Sequence, residues 1–285
     1  MKIIENMNFE EERALYDSDG IILKNCSFDG QADGESALKE SRNIEVYDCY
    51  FNLRYPLWHD TGVKISNSVM TELCRASLWY SHGIEIENTK MYGIKALREC
   101  SDISIKNCDI ISPEFGWFVK NVKMYDCTAK SEYFMMRSEN LDFEKLNFCG
   151  KYSFQYIKNS VFENCNFDTK DAFWHAQNVT VRNSIVKGEY LAWYSENLTL
   201  ENCIITGTQP LCYCQNLRLI NCEMHDTDLS FEKSDVYAEI TTPVISIKNV
   251  HSGKIYVPEV SEIIRDDPYA TGEIIVRGSE NGENN

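Results

Sequence analysis

Apolar and polar residues alternate in short segments that recur along the chain, and each segment ends on Asn or Asp followed by Cys, Ser or Thr. The series runs ILKNC to Cys26, IEVYDC to Cys49, VKISNS to Ser68, IEIENT to Thr89, ISIKNC to Cys108 and VKMYDC to Cys127. It continues as VFENC to Cys165, VTVRNS to Ser184, LTLENC to Cys203 and LRLINC to Cys222. From Asn88 to Asn221 every step is 19 residues, with Lys145 standing once in the place of Asn. Period-2 alternation predicts strands, and no 3.6-residue pattern accompanies it. Self-similarity at a fixed period predicts a solenoid. Nineteen residues are too few for a four-stranded propeller blade, and the leucine-rich-repeat spacing is absent. What fits is one coil of a parallel β-helix. Three short strands per coil would each pair with the equivalent strand of the next coil, about 4.8 Å away.

The columns of such a stack can be read directly. Val63, Ile84, Ile103, Val122 and Leu141 open the first strand and point inward, followed two residues later by Ile65, Ile86, Ile105, Met124, Phe143, Phe162, Val181, Leu200 and Leu219. The Asn column is expected at a turn, where Asn tolerates the left-handed conformation, with its amides bonded coil to coil. A second such column lies at Asn121, Asn140, Asn159, Asn178, Asn197 and Asn216, one residue before the first strand. Cys108, Cys127, Cys165, Cys203 and Cys222 are expected to point inward as a stack of thiols. Small residues (Gly93, Ser112, Ser131, Gly150, Thr169, Gly188 and Gly207) mark the third corner.

The reading is an all-β chain, one β-helix domain over 1–277 with about a dozen coils. Residues 1–20 are expected to form a short N-terminal cap, because Phe9–Tyr16 (FEEERALY) has helix-forming composition. Residues 226–277 lose the period but retain strand-like SIKNV, KIYV and EIIV, and 278–285 (GSENGENN) are expected to be a disordered tail.

All five tryptophans share one phase. Trp58, Trp79, Trp117, Trp174 and Trp193 each lie four residues before a unit start. The column before them (Leu57, Leu78, Leu97, Phe154, Phe173, Leu211 among others) is apolar and should point inward, which turns the tryptophans outward. The column after them (His59, Tyr80, Glu99, Phe118, Arg137, Tyr156, His175, Tyr194, Tyr213) should point inward by strict alternation, yet it carries charge. A bend after the Leu/Phe column would expose both, and the competing reading places the rings in the core.

Composition narrows the partners. The formal net charge of −16 disfavours nucleic acid and anionic lipid. No run approaches the ~18 apolar residues of a membrane helix. The first residues lack the apolar region of a secretory signal, so the cytoplasm is the expected compartment. Twelve cysteines, most of them recurring at one phase and with no CxxC pair, read as reduced buried thiols. Cofactors are not expected. Asp29, Asp33 and Glu35 in DGQADGE lack calcium-loop spacing and read as a turn, so no metal site is assigned.

The stretches DGQADGESALKES, LRYPLWH, GIKALREC, SPEFGWF, GKYSFQY, TKDAFWH, GEYLAWYSEN and GTQPLCYC resemble domain-of-unknown-function family 3737 of bacteria, over most of the chain. That family is similar to the pectin-lyase-like superfamily of right-handed parallel β-helices. The resemblance implies a right-handed coil and no particular activity. The superfamily's lyases, hydrolases, esterases and binding proteins give an associational prior towards carbohydrate.

An exposed stripe would offer Trp58, His59, Trp79, Trp117, Trp174 and Trp193 as a surface for stacking sugar rings. The catalytic candidates are Glu99, Glu114, Asp171, Arg137 and His175. Carboxylates on adjacent or alternate coils, such as Glu99 with Glu114 or Asp171 with Glu189, would stand about 5 or 10 Å apart, which brackets the two glycosidase geometries. Arg137 and His175 would act as base or acid–base groups of a hydrolase or polysaccharide lyase. Against this stands a plain salt-bridged ladder. The alternative function is a non-catalytic scaffold whose stripe docks a protein or a second copy.

Overall fold

The computed structural model describes residues 1–30 and 35–277. The fold is a parallel β-solenoid of about 14 turns at a spacing of about 19 residues, with no helix among the described residues. It divides into two compact units, Met1–Gly150 and Lys151–Asn285. In the first unit the opening strands of successive coils, from Lys2–Glu5 through Asp19–Lys24, Arg42–Tyr47, Thr61–Ser66, His82–Glu87 and Ser101–Lys106, pair in parallel. In the second unit Lys158–Glu163, Gln177–Arg182, Glu196–Glu201 and Leu217–His225 do the same. The inward columns expected from the sequence are buried: Val63, Ile84, Val122, Phe143, Phe162 and Val181 are each 0% exposed. Each such side chain contributes about 1.5–3 kcal/mol of transfer free energy. A second inner column stacks Phe9 on Phe28 and Phe28 on Phe51, centroids 4.9 and 4.8 Å apart.

Both Asn columns sit at left-handed turns, with φ near 50° at Asn25, Asn88 and Asn107 and 54° at Asn178 and Asn197. Amides link coils through Asn107 to Asn88 (2.6 Å), Asn221 to Asn202 (2.8 Å), Asn140 to Asn121 (2.9 Å) and Asn216 to Asn197 (2.7 Å). The first ladder begins one coil earlier than the sequence suggested, where Asn25 donates to Asn6 at 2.7 Å. The residue after each Asn explains the Cys/Ser/Thr requirement. Its backbone N–H finds its acceptor in the side chain of the next coil: Cys49 to Ser68 Oγ, Ser68 to Thr89 Oγ1, Cys108 to Cys127 Sγ and Cys165 to Ser184 Oγ. That side chain then donates to the carbonyl two residues before it, as from Ser68 to Ser66 and Cys127 to Tyr125. A small side chain that both accepts and donates satisfies a buried N–H that would otherwise go unpaired.

The third wall departs from the expected strand. It is built from residues of alternating hand, such as Tyr55, Leu57 and His59 (φ 55°, 59° and 62°) in one unit and Tyr190, Ala192 and Tyr194 (56°, 60° and 61°) in the other. Left-handed conformation costs a non-glycine residue of order 1 kcal/mol. The offset is a hydrogen bond from each such N–H to a neighbouring coil: Tyr55 to Arg75, Leu57 to Ala37 and His59 to Trp79, at 2.8–3.0 Å. Among the described residues, Ala96–Arg98, Glu114–Trp117 and Tyr133–Phe134 form a regular sheet there. Alternating hand breaks the in–out rule of a strand, so two successive side chains turn outward between a buried Leu57 and a buried Asp60.

Three further expectations change. Phe9–Tyr16 is no helix: Asn8–Phe9 pairs with Ser27–Phe28, Arg13 N–H donates to Glu35 O, and Leu38 N–H to Ala14 O, so the segment is an ordinary coil corner. Coil-to-coil pairing, with Phe9 and Ala14 inside, overrides its weak helix propensity. The strands expected in the C-terminal part appear as Val244–Lys248, Ser252–Val257 and Glu273–Val276. With the N-terminal corner they raise the count above a dozen. The expected tail, 278–285, and Asp33 lie outside the described residues.

Candidate functional site

The alternating wall carries the tryptophan column, and each unit is taken in turn. In the second unit Trp174 and Trp193 stack with centroids 5.3 Å apart and planes 4° from parallel. Their Nε1–H groups donate to the Tyr190 and Gln209 carbonyls at 2.6 and 2.8 Å, in each case 16 residues on. Gln155 fills the same column and donates its amide to Asp171 O at 2.8 Å, imitating the indole. The indoles are therefore half-buried against the outside of the coil, neither in the core nor free. Beside them Tyr156, His175, Tyr194 and Tyr213 form a second stack, spaced 4.8, 5.0 and 4.9 Å apart and within 12° of parallel.

This arrangement corrects the expectation of a row of free ring faces. In-register coils place successive rings face to face, so the faces cover one another and the edges meet solvent. Asp171 is almost buried, and burial pushes its carboxyl up from the ordinary range, against Lys170 and assisted by Glu189. Glu189 is exposed and ion-paired to Lys170 at 3.0 Å. The pairing of Asp171 with Glu189 is through backbone, the Asp171 N–H donating to Glu189 O.

In the first unit Trp58 meets Trp79 edge to face at 5.8 Å and lies under the Lys39 ammonium, and His59 stacks on Tyr80 at 4.8 Å. Trp79 donates Nε1–H to the Lys95 carbonyl. The Trp58 and Trp117 Nε1–H groups are buried without a partner. Arg98 takes the tryptophan place in its coil, its guanidinium 5.2, 5.9 and 5.8 Å from the Trp79, Trp117 and Phe118 rings. Glu114 lies with Lys95 and Trp117 on one side of Arg98, ion-paired to Lys95 at 3.7 Å. Glu99 lies on the other, its carboxylate 3.8 Å from Arg98 Nε. The two carboxylates thus line different depressions. Arg137 is exposed in the column of Glu99 and Phe118.

The larger depression, about 600 Å³, is lined by His82, Arg98, Glu99, Cys100, Ser101, Phe118 and Lys120. Phe118 is 38% exposed there. His82 Nδ1 is 3.0 Å from Ser101 Oγ, and Ser101 donates to Asp102 at 2.8 Å. With its single proton given to Asp102, the serine receives a proton from His82 Nδ1, so the imidazole is no base for it. Hydrogen bonds from Asn121 and Ser101 hold the Asp102 carboxyl below its ordinary range. His82, Ser101 and Lys120 were not singled out from the sequence. They share one phase, two residues after the column of Tyr80, Glu99 and Phe118 and on the same side of the buried Ser81, Cys100 and Val119.

No group of three or more His, Cys, Asp or Glu side chains placed to hold a metal occurs among the described residues. Asp29 and Glu35 are engaged by Asn52 and Arg54, both at 2.9 Å. All twelve cysteines are free thiols, and only Cys149 is exposed.

No curated protein matches the sequence. Among solved structures, the tailspike protein of E. coli bacteriophage HK620, in complex with a pentasaccharide, is similar at 9% identity, over 96% of this chain and 67% of that one, with a TM-score of 0.47. PfbA, a surface adhesin of Streptococcus pneumoniae, is similar at 12% identity, over 92% and 74%, with a TM-score of 0.41. The Agl-KA catalytic domain is similar at 11% identity, over 84% and 62%, with a TM-score of 0.44. The chain spans about two thirds of the length of the tailspike chains it matches. A family model matches residues 2–276, and the chain belongs to that family, described as protein of unknown function (DUF3737).

Proposed function

We propose that the protein recognises carbohydrate, and that the saccharide sits in the first-unit depression around Phe118. One observation carries this: an open hollow of about 600 Å³ in which an exposed aromatic ring adjoins Arg98, Glu99, His82, Ser101 and Lys120. A sugar presents C–H faces and hydroxyls that both donate and accept. Phe118 would meet the former, and donors from Arg98 and Lys120 with an acceptor from Glu99 would fix the latter. Recognition is favoured over hydrolysis because Glu99 and Glu114 do not line one hollow, and each stands beside a cation. Twelve cysteines without a disulfide support a reducing compartment, the cytoplasm. The test is a glycan array followed by calorimetric titration of the best ligand. Phe118→Ala and Glu99→Gln are expected to weaken binding at least tenfold while the melting temperature holds. Unchanged affinity in both variants, or no saccharide bound at millimolar concentration, sinks the proposal.

A second reading is a non-catalytic docking scaffold, favoured by the exposed edges of the second-unit ring stack, where Tyr194 is 48% and Tyr156 36% exposed. Light scattering separates the two readings, since self-association through this stack would be abolished by Tyr194→Ala and untouched by Phe118→Ala.

A further inference from the structure

One inward column follows the alternating wall immediately and contains a carboxylic acid. In the first unit it holds Ser41, Asp60, Ser81, Cys100, Val119 and Ser138. The hydroxyl and thiol members have two duties. Each accepts a backbone N–H from the preceding coil: Ser81 Oγ from Asp60 at 3.0 Å, and Ser138 Oγ from Val119 at 3.2 Å. Each also donates its proton to a carbonyl, either two residues back or in the previous coil. Ser81 donates to Trp79, Cys100 to Leu78 and Arg98, and Ser138 to Gly116 and Met136. The second unit repeats this with Ser195 to Phe173 and Ser234 to Leu211.

Asp60 performs the first duty: its Oδ1 accepts the Ser41 N–H at 2.7 Å. Its side chain is 0% exposed, and Oδ2, the atom left for the second duty, is buried with no partner that a carboxylate could accept from. In the sister coils the second duty is met at carbonyls two residues back and in the previous coil, and the carbonyls at the equivalent positions for Asp60 are those of Trp58 and Leu38. A carboxylate oxygen facing carbonyl oxygens is repelled, whereas a carboxylic acid O–H supplies the missing donor.

We propose that Asp60 is a neutral carboxylic acid in the folded protein, its Oδ2–H replacing the serine hydroxyl of the sister coils, and that its ionisation loosens the first unit as pH rises. The electrostatics agree with the geometry. Burial, with a further push from Glu40, raises the carboxyl to about 8, against the lowering effect of the Ser41 N–H. Other charged or titratable groups on the flanking coils offer no counter-charge. Lys39 is taken up over the Trp58 ring and does not act on Asp60, Arg42 is exposed and held by Asp17 and Asp19, and His59 and His82 are exposed, the latter bound to Ser101. The direction follows from proton counts. Between the ordinary carboxylate range and about 8 the folded state holds a proton that the unfolded chain has lost, so stability falls with rising pH across that window and levels off above it. The coil affected carries Trp58 and His59.

The test uses the full chain, with Asp60→Ser, which restores the sister-coil arrangement, and Asp60→Asn, a neutral isostere. Infrared spectra at pH 6 are expected to contain a protonated-carboxyl stretch that both variants lack. The wild-type melting temperature should fall between pH 5 and 8 by roughly 3 °C per pH unit more than that of Asp60→Ser. Absence of the stretch in the wild type, or parallel melting profiles for wild type and both variants, overturns the assignment.

Discussion

Ser184→Ala tests whether the residue after each Asn is fixed by hydrogen bonding or merely by size. Ser184 is 3% exposed; its Oγ accepts the Cys165 N–H at 2.9 Å and donates to the Arg182 carbonyl at 2.6 Å. Removing the oxygen strands the Cys165 N–H inside the wall, which costs about 1–3 kcal/mol for an unsatisfied buried donor. The Arg182 carbonyl suffers less, because it also accepts the Asn164 N–H at 3.1 Å. The void left by one oxygen adds a fraction more. A total near 2 kcal/mol lowers the melting temperature by roughly 4–8 °C. The control is Ser184→Cys, which retains both functions and is the residue found at 165 and 203; it should cost under about 1 kcal/mol. Urea unfolding of the three proteins, at unchanged denaturant slope, measures the difference. Equal midpoints for Ala and Cys would refute the hydrogen-bond account and leave only side-chain volume.

Trp174→Phe should cost about 1 kcal/mol by leaving the Tyr190 carbonyl without its N–H donor, and should abolish the near-ultraviolet circular-dichroism couplet of the stacked Trp174–Trp193 pair. A couplet that survives would contradict the stack. Gly188→Ala should destabilise by about 3 kcal/mol or more, since its φ is 153° and an added Cβ would lie 1.4 Å from the Thr169 carbonyl; a normal melting temperature would disprove the close approach. Native protein should react with a thiol reagent at Cys149 alone, with the other cysteines appearing only on unfolding, and faster labelling of Cys108 or Cys203 would show that the thiol column is open.

Much of this fold is legible in the amino-acid sequence. The strand columns and both Asn ladders follow from period-2 alternation inside a constant 19-residue step, two signals that agree with each other. The alternating wall was not readable, because it places Tyr, Leu, Phe and His in a backbone conformation that their propensities disfavour. Its trace in the sequence is indirect: Trp58 and His59 are adjacent polar-tipped residues between the buried Leu57 and Asp60, where a strand permits only one outward position at a time. The ring faces were misjudged for a related reason. A column of aromatics reads as a surface for ligands, but equal registration at the coil spacing makes the rings each other's ligands. The depression at Phe118 was hidden because the Phe118 and Lys120 columns, two residues apart and on one side of the buried Val119, were not read together. Asp60 went unremarked since one Asp among Ser and Cys looks like a polar substitution rather than a buried acid.

The side-chain ladders also bear on how such a chain can vary in length. Every amide rung and every hydroxyl or thiol relay joins a residue to its counterpart one coil away, most often 19 positions apart. An odd residue added within a strand would shift all later partners of that coil by one, turning inward columns outward and parting the rungs. The longer steps that do occur, 23 residues between Cys26 and Cys49 and 21 between Ser68 and Thr89, leave the opening strands paired in register. Growth or loss is therefore quantised. Whole coils can be gained or deleted as units, and small insertions survive at corners. Relatives of this chain should differ in length by multiples of one turn, with the remainder collected in loops.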